Sequence, residues 1–181
     1  MYTLNVEKRD QSVKAKKLRR MGMVTGNIRV DKDNTNLLFA IPLSEAKKFL
    51  KEKTKGGLVE VHYEDETFTA LVREILVNPM TGEIQEISLQ SMENGKTVTT
   101  VAHVVLKNKS KLSTLVTTEV SEVPYKALAE DIVETAEVDI TKYKPGENVT
   151  LKDFSISDNP KVELLMDGNT VVATVTKTAV S

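Results

Sequence analysis

Between Glu7 and Gly22 the chain places Lys8, Arg9, Lys14, Lys16, Lys17, Arg19 and Arg20 against only Glu7 and Asp10. Arginine offers a planar fork of donors and lysine a mobile point charge, a mixture suited to phosphate oxygens with some reading of shape. Each phosphate neutralised releases condensed counterions, so such a run gains affinity for a nucleic-acid backbone with every contact. Without a partner the like charges repel, and the stretch reads as a flexible loop that orders on binding. A basic arm that is merely solvated is the plainer reading.

Other chemistry is thin. His62 lies between Val61 and Tyr63, and His103 between Ala102 and Val104, with no neighbouring ligand or carboxylate at the spacing of a metal site or triad. Both read as structural or merely exposed. Gly56-Gly57 lacks the Lys-Ser or Lys-Thr ending of a phosphate loop. Glu64-Asp65-Glu66 occupies a hairpin tip, where charge ordinarily serves solubility. No catalytic residue, metal ligand or cofactor is expected, and the protein reads as a non-enzyme.

A basic end needs a body to present it. Residues 1–30 hold eight basic and two acidic side chains, residues 31–91 seven and eleven, and residues 92–181 ten and thirteen, so the net charge of -1 conceals a segregated distribution. A cationic end on an acidic body suits a protein that touches nucleic acid at one end. The 181 residues suffice for one large domain or two small ones. Cysteine is absent, which removes disulfides and thiolate zinc sites. Met1 to Val6 runs straight into charge with no apolar leader, and no apolar run nears the roughly 20 residues of a spanning helix. A cytoplasmic protein with no membrane partner is expected.

Aromatic residues make up 4% of the chain, while Val, Ile, Thr and Leu abound, a balance that favours sheets. Tyr2 to Val6 alternates apolar and polar with the period of a half-buried strand. Met23 to Val30 reads as the next strand, Asp31 to Asn36 as a turn, and Leu37 to Ile41 as a short strand ended by Pro42. Ser44 is expected to cap a helix with Leu43, Ala46, Phe49 and Leu50 along one face, stopped by Gly56-Gly57. Strands Leu58 to Tyr63 and Thr67 to Leu76 follow, and Glu83 to Leu89 returns across a turn from Asn78 to Gly82. Six or so strands, one helix and the basic loop within about 90 residues make a compact β domain of barrel type.

Glu93-Asn94-Gly95 reads as a junction, giving domains of residues 1–91 and 92–181. In the second, strands are expected at Thr97 to Leu106, Leu112 to Val123 and Asn148 to Phe154. Val162 to Met166 and Thr170 to Thr176 read as a hairpin across Asp167-Gly168-Asn169. Pro124 to Glu137 fits an amphipathic helix, or a strand, a short turn and a strand, and periodicity leaves both open.

The first strand, then Arg9…Lys14-x-Lys16-Lys17-Leu18-Arg19-Arg20-x-Gly22, a helix ending in glycine, and Val72-Arg73-Glu74-Ile75…Asn78-Pro79…Gly82-Glu83-Ile84 resemble one bacterial family. It is the large-subunit ribosomal protein that binds 5S rRNA, in its long, general stress protein Ctc form (the bL25/TL5/CTC family). The stretch from Val138-Asp139-Ile140 through Tyr143-Lys144-Pro145-Gly146 to Phe154 is similar to that family's C-terminal domain. The resemblance covers essentially the whole chain in order. It implies a mainly β protein: a six-stranded, barrel-like RNA-binding domain with one or two short helices, then a second β-rich domain. It also implies strand, turn and strand over Pro124 to Ile140.

By this resemblance the partners are 5S rRNA and proteins of the large subunit, and the free chain is expected to be a monomer. Arg9, Lys14, Lys16, Lys17, Arg19 and Arg20 would contact phosphates. The family's Tyr in Pro-Ala-Val-x-Tyr-Gly is replaced by Arg29 within Thr25-Gly26-Asn27-Ile28-Arg29-Val30, and Arg29 would compensate for it. Ile75-Leu76 stands for Val-Gln. Glu86-Ile87-Ser88-Leu89 stands for His-x-Asp-Phe, so that a carboxylate replaces a histidine and Ser88 offers one hydroxyl. Keeping the arm while losing that set predicts weaker, more salt-sensitive recognition. The alternative is a diverged general-stress paralogue that keeps the fold, has lost specific 5S rRNA binding and acts as a protein-interaction module.

Overall fold

Leu4 and Val6 are buried while Thr3, Asn5 and Glu7 are exposed, which makes β1 (Tyr2–Lys8) a strand with one face inward. The computed structural model describes residues 2–31, 34–111 and 115–176. Its contacts divide into two units, Met1–Asn94 and Gly95–Ser181, each with its own buried apolar cluster.

In the first unit Met23–Val30 (β2), Thr35–Pro42 (β3), Leu58–Tyr63 (β4), Glu66–Val77 (β5) and Ile84–Ser91 (β6) join β1 in a closed barrel. The order around it is β1-β3-β2-β6-β5-β4, with β1–β4 and β2–β6 parallel and the other neighbours antiparallel. Closure removes the unpaired edges of an open sheet. Two helices interrupt the strands, α1 (Ala15–Arg20) before β2 and α2 (Leu43–Glu52) after β3. Inward side chains such as Ile28, Phe39, Ile41, Val61, Ile87 and Leu89 fill the barrel, and α2 adds Ala46 and Phe49 to the same cluster. Tyr2 meets Phe49 edge-on, with ring centroids 5.7 Å apart.

Local chemistry departs from the sequence reading at two places here. The N-cap of α2 is Pro42, and Ser44 sits inside the first turn without capping it. The Leu43 amide instead donates to the Gly22 carbonyl at 2.8 Å, so main chain does a capping side chain's work. The helix stops at Glu52, and Gly56-Gly57 lies in the next turn, where Gly56 adopts φ 84° and Gly57 accepts from the Val72 amide. Part of the expected turn after β2, residues 32–33, lies outside the described residues.

The second unit contains Thr97–Lys107 (β7), Leu115–Thr118 (β8), Glu122–Leu128 (β9), Thr135–Asp139 (β10), Asn148–Thr150 (β11), Val162–Leu164 (β12) and Val171–Thr176 (β13). They form sheets of order β10-β7-β9-β12 and β11-β13-β8. The Pro124 to Ile140 stretch is strand, 3₁₀ turn and strand, as the family resemblance implies. The Tyr125 hydroxyl holds that turn, donating to the Val133 carbonyl and accepting from its amide, both at 2.8 Å.

Three expected elements differ. Residues 112–114 of the Leu112 to Val123 strand lie outside the described residues, and the remainder is two strands, β8 and β9, in different sheets. The bend between them lets Val116 and Val123 enter one core from two sheets. Asn148 to Phe154 is a strand only to Thr150. The Asp153 carboxylate accepts from the Thr150 amide at 2.9 Å and its hydroxyl at 3.0 Å, winding Leu151–Asp153 into a 3₁₀ turn. The expected hairpin does not pair with itself, because β12 joins β9 while β13 lies between β11 and β8.

Candidate nucleic-acid interface

The basic segment is partly a helix rather than a featureless loop. Lys14 precedes α1 in extended conformation, and the helix ends where the Met21 amide donates to the Lys17 carbonyl and that of Gly22, at φ 78°, to Arg19. Val13, Ala15 and Leu18 are half-buried, whereas Lys14, Lys16, Lys17, Arg19 and Arg20 are exposed. Anchoring the inner side leaves five cations displayed outward. Three of them, Lys17, Arg19 and Arg20, fall in the last turn, where the helix dipole favours positive charge. Lys16, Arg19 and Arg20 also line an open groove of about 510 Å³ together with Leu43, Glu83 and Gln85.

Arg9 is placed differently. Its amide donates to the Leu38 carbonyl at 3.0 Å, and its half-buried guanidinium turns back toward the Val13 carbonyl at 3.5 Å. Arg9 therefore braces the loop that launches α1. Asp10 shapes the same loop by accepting from the Ser12 amide at 2.9 Å, and hydrogen bonds from Ser12 lower its pKa.

Arg29 and Ser88 come together on the outer face of the neighbouring parallel strands β2 and β6, where Asn27 lies opposite Ser88 and Arg29 opposite Gln90. The Ser88 hydroxyl donates to Asn27 Oδ1 at 2.9 Å, and the Asn27 amide donates to Asn36 Oδ1 at 3.0 Å. This makes a polar ribbon across β6, β2 and β3. Arg29 Nε stands 3.0 Å from Asp31 Oδ1, and the Gln90 amide donates to Asp31 Oδ2. Of the replaced family positions, Leu76 and Glu86 lie exposed and opposite each other on this side, whereas Leu89 is buried in the core. Sequence reasoning missed Asn27, Asp31, Asn36 and Gln90. The alternation of β2 held a signal for Asn27, since Val24 and Ile28 face inward and assign the odd positions to the surface.

The histidines add no second centre. His62 Nε2 lies 3.1 Å from Glu60 Oε1 on the same strand, and among the described residues no cluster of His, Asp and Glu could hold a metal ion. No helix of the described residues is long and apolar enough to cross a membrane.

A closed barrel with a cationic helix at one side and a polar strand face, followed by a second β unit, defines a β-barrel binding protein suited to a polyanion. The chain belongs to the bL25/TL5/CTC family of ribosomal proteins. The model described as Ribosomal L25p family matches residues 4–89, and that described as Ribosomal protein TL5, C-terminal domain, matches residues 83–179. Relatives called large ribosomal subunit protein bL25 match over nearly the full length. That of Gloeothece citriformis is 26% identical over 179 residues, covering 96% of this chain and 89% of its own. That of Moorella thermoacetica is 25% identical over 185 residues, covering 97% and 88%. Members of this family are structural ribosomal proteins, so the chain is not an enzyme.

Proposed function

We propose that this protein is a cytoplasmic, structural component of the large ribosomal subunit that binds 5S rRNA through its barrel unit, and that it is monomeric when free. The observation that carries this reading is the display of Lys14 at the start of one short helix and of Lys16, Lys17, Arg19 and Arg20 along it, with Val13, Ala15 and Leu18 half-buried beneath. A fixed cluster of cations meets successive phosphates without first ordering a loop, which lowers the entropic cost of binding. Full-length likeness to proteins named for the large subunit supports the same assignment. Arg29 and Ser88 would meet the RNA beside the helix, and Arg9 would act mainly by holding the loop. Proteins of the large subunit are the remaining partners.

The test is binding to isolated 5S rRNA across a salt series, with a scrambled RNA of equal length as competitor. A preference for 5S rRNA retained at physiological salt is the expected result. Equal and steeply salt-dependent binding to both RNAs would overturn specific recognition and leave an electrostatic arm. Sizing of the free protein is expected to give a mass near the 20.1 kDa of one chain.

A further inference from the structure

Among the described residues Asp31 is the carboxylate paired with a cation of the proposed RNA face, and its two oxygens are held unequally. The Gln90 amide fixes Oδ2. Oδ1 is buried and accepts no aligned hydrogen bond, although Arg29 Nε lies 3.0 Å away. Coulomb attraction therefore holds the Arg29 side of the pair. The Arg29 side chain is 66% exposed, so that attraction is weak and screened by salt. A phosphate presented squarely to the guanidinium offers two charge-assisted hydrogen bonds and displaces the carboxylate. A phosphate that arrives out of register meets the carboxylate itself, which repels it.

We propose that Asp31 is a selectivity residue: it keeps Arg29 on the strand face and withholds it from RNA that docks only on α1. Random polyanions reach the exposed cations of α1 beside the start of β2 without approaching its other end, and Arg29 then stays with Asp31. Only an RNA whose shape also brings a phosphate over β2 and β6 recruits Arg29. Asp31 acts through Arg29 and is a positioning residue. This rests on the reading of the barrel as an RNA-binding unit.

Asp31→Asn keeps a carbonyl for Gln90 and removes the charge. In this variant binding to scrambled RNA is expected to tighten about two- to fivefold at low salt. Its salt dependence should steepen by about one counterion. The gain on 5S rRNA should be smaller, so the preference narrows. Arg29→Gln in the Asp31→Asn background should remove the gain, which a general charge effect would leave in place. Unchanged affinity and salt dependence for scrambled RNA overturns the proposal, as does weaker binding to both RNAs or a gain that survives Arg29→Gln. A wild-type protein with no preference for 5S rRNA would defeat the functional reading instead, while the scrambled RNA still tests Asp31.

Discussion

Gly26 lies on β2 where the ring of Phe39 crosses the barrel interior. A Cβ there would stand 2.2 Å from Phe39 Cζ and 2.5 Å from the Ile87 carbonyl oxygen, distances no side chain reaches without moving its neighbours. Gly26→Ala is therefore expected to cost about 1–3 kcal/mol in urea unfolding. Phe39→Leu in the same chain should recover only part, because the main-chain oxygen stays; full recovery would mean that the ring alone sets the requirement. Tyr143 gives a second residue-scale expectation. Burial, with the Asp153 carboxylate beside it and accepting its hydrogen bond, pushes the phenol up from 10.0 to about 12. Between those values the unfolded chain has lost a proton that the native state keeps, so stability falls as pH rises. The contribution is full below 10.0 and lost as pH climbs toward about 12. The unfolding midpoint of Tyr143→Phe should decline less steeply across that window than that of the wild type.

At the scale of elements, α1 is too short to persist alone, since isolated helices under about 12–15 residues are marginal in water. Its order comes from outside: Leu18 is half-buried, the helix lies against β2, and the Gly22 carbonyl after it accepts from Leu43. Charge density alone argued for a loop, and the residues that reverse this lie partly beyond the segment. Lys16, Arg19 and Arg20 changed together to Gln should lower the salt dependence of RNA binding by about 0.7–0.9 per lost phosphate contact. Because all three are exposed, the unfolding midpoint should hardly move; a large drop would assign them to packing. The barrel strands were legible because apolar and polar residues alternate over whole strands, as in β4, and marked turns separate them. The second unit was legible only in part. Leu151, Phe154 and Ile156 are all buried although no strand carries them, and a period-two reading mistakes such 3₁₀ turns for strand. Sheet membership was hidden too, since nothing local tells β12 to pair with β9 instead of β13. The site divides likewise: the α1 cations are a local run, but the Asn36–Asn27–Ser88 ribbon exists only through pairing of distant strands.

For the whole molecule, the two units differ in electrostatic character as well as in core. Residues 1–94 hold fifteen basic and fourteen acidic side chains with seven of the basic ones between Lys8 and Arg20, whereas residues 95–181 hold ten and twelve. Each unit buries its own apolar cluster, so residues 1–94 are expected to fold alone and to unfold in a single cooperative transition. If the barrel supplies the RNA contacts, the second unit brings only a diffuse negative field. That field acts at long range and is screened beyond about 10 Å at 0.1 M salt. The fragment 1–94 should then bind 5S rRNA slightly more tightly than the full chain at low salt, with the difference vanishing as salt rises. A full chain that binds more tightly at every salt concentration would place a further RNA contact in the second unit. Its acidic balance disfavours that outcome, since each such contact would have to overcome a net repulsion from the phosphates.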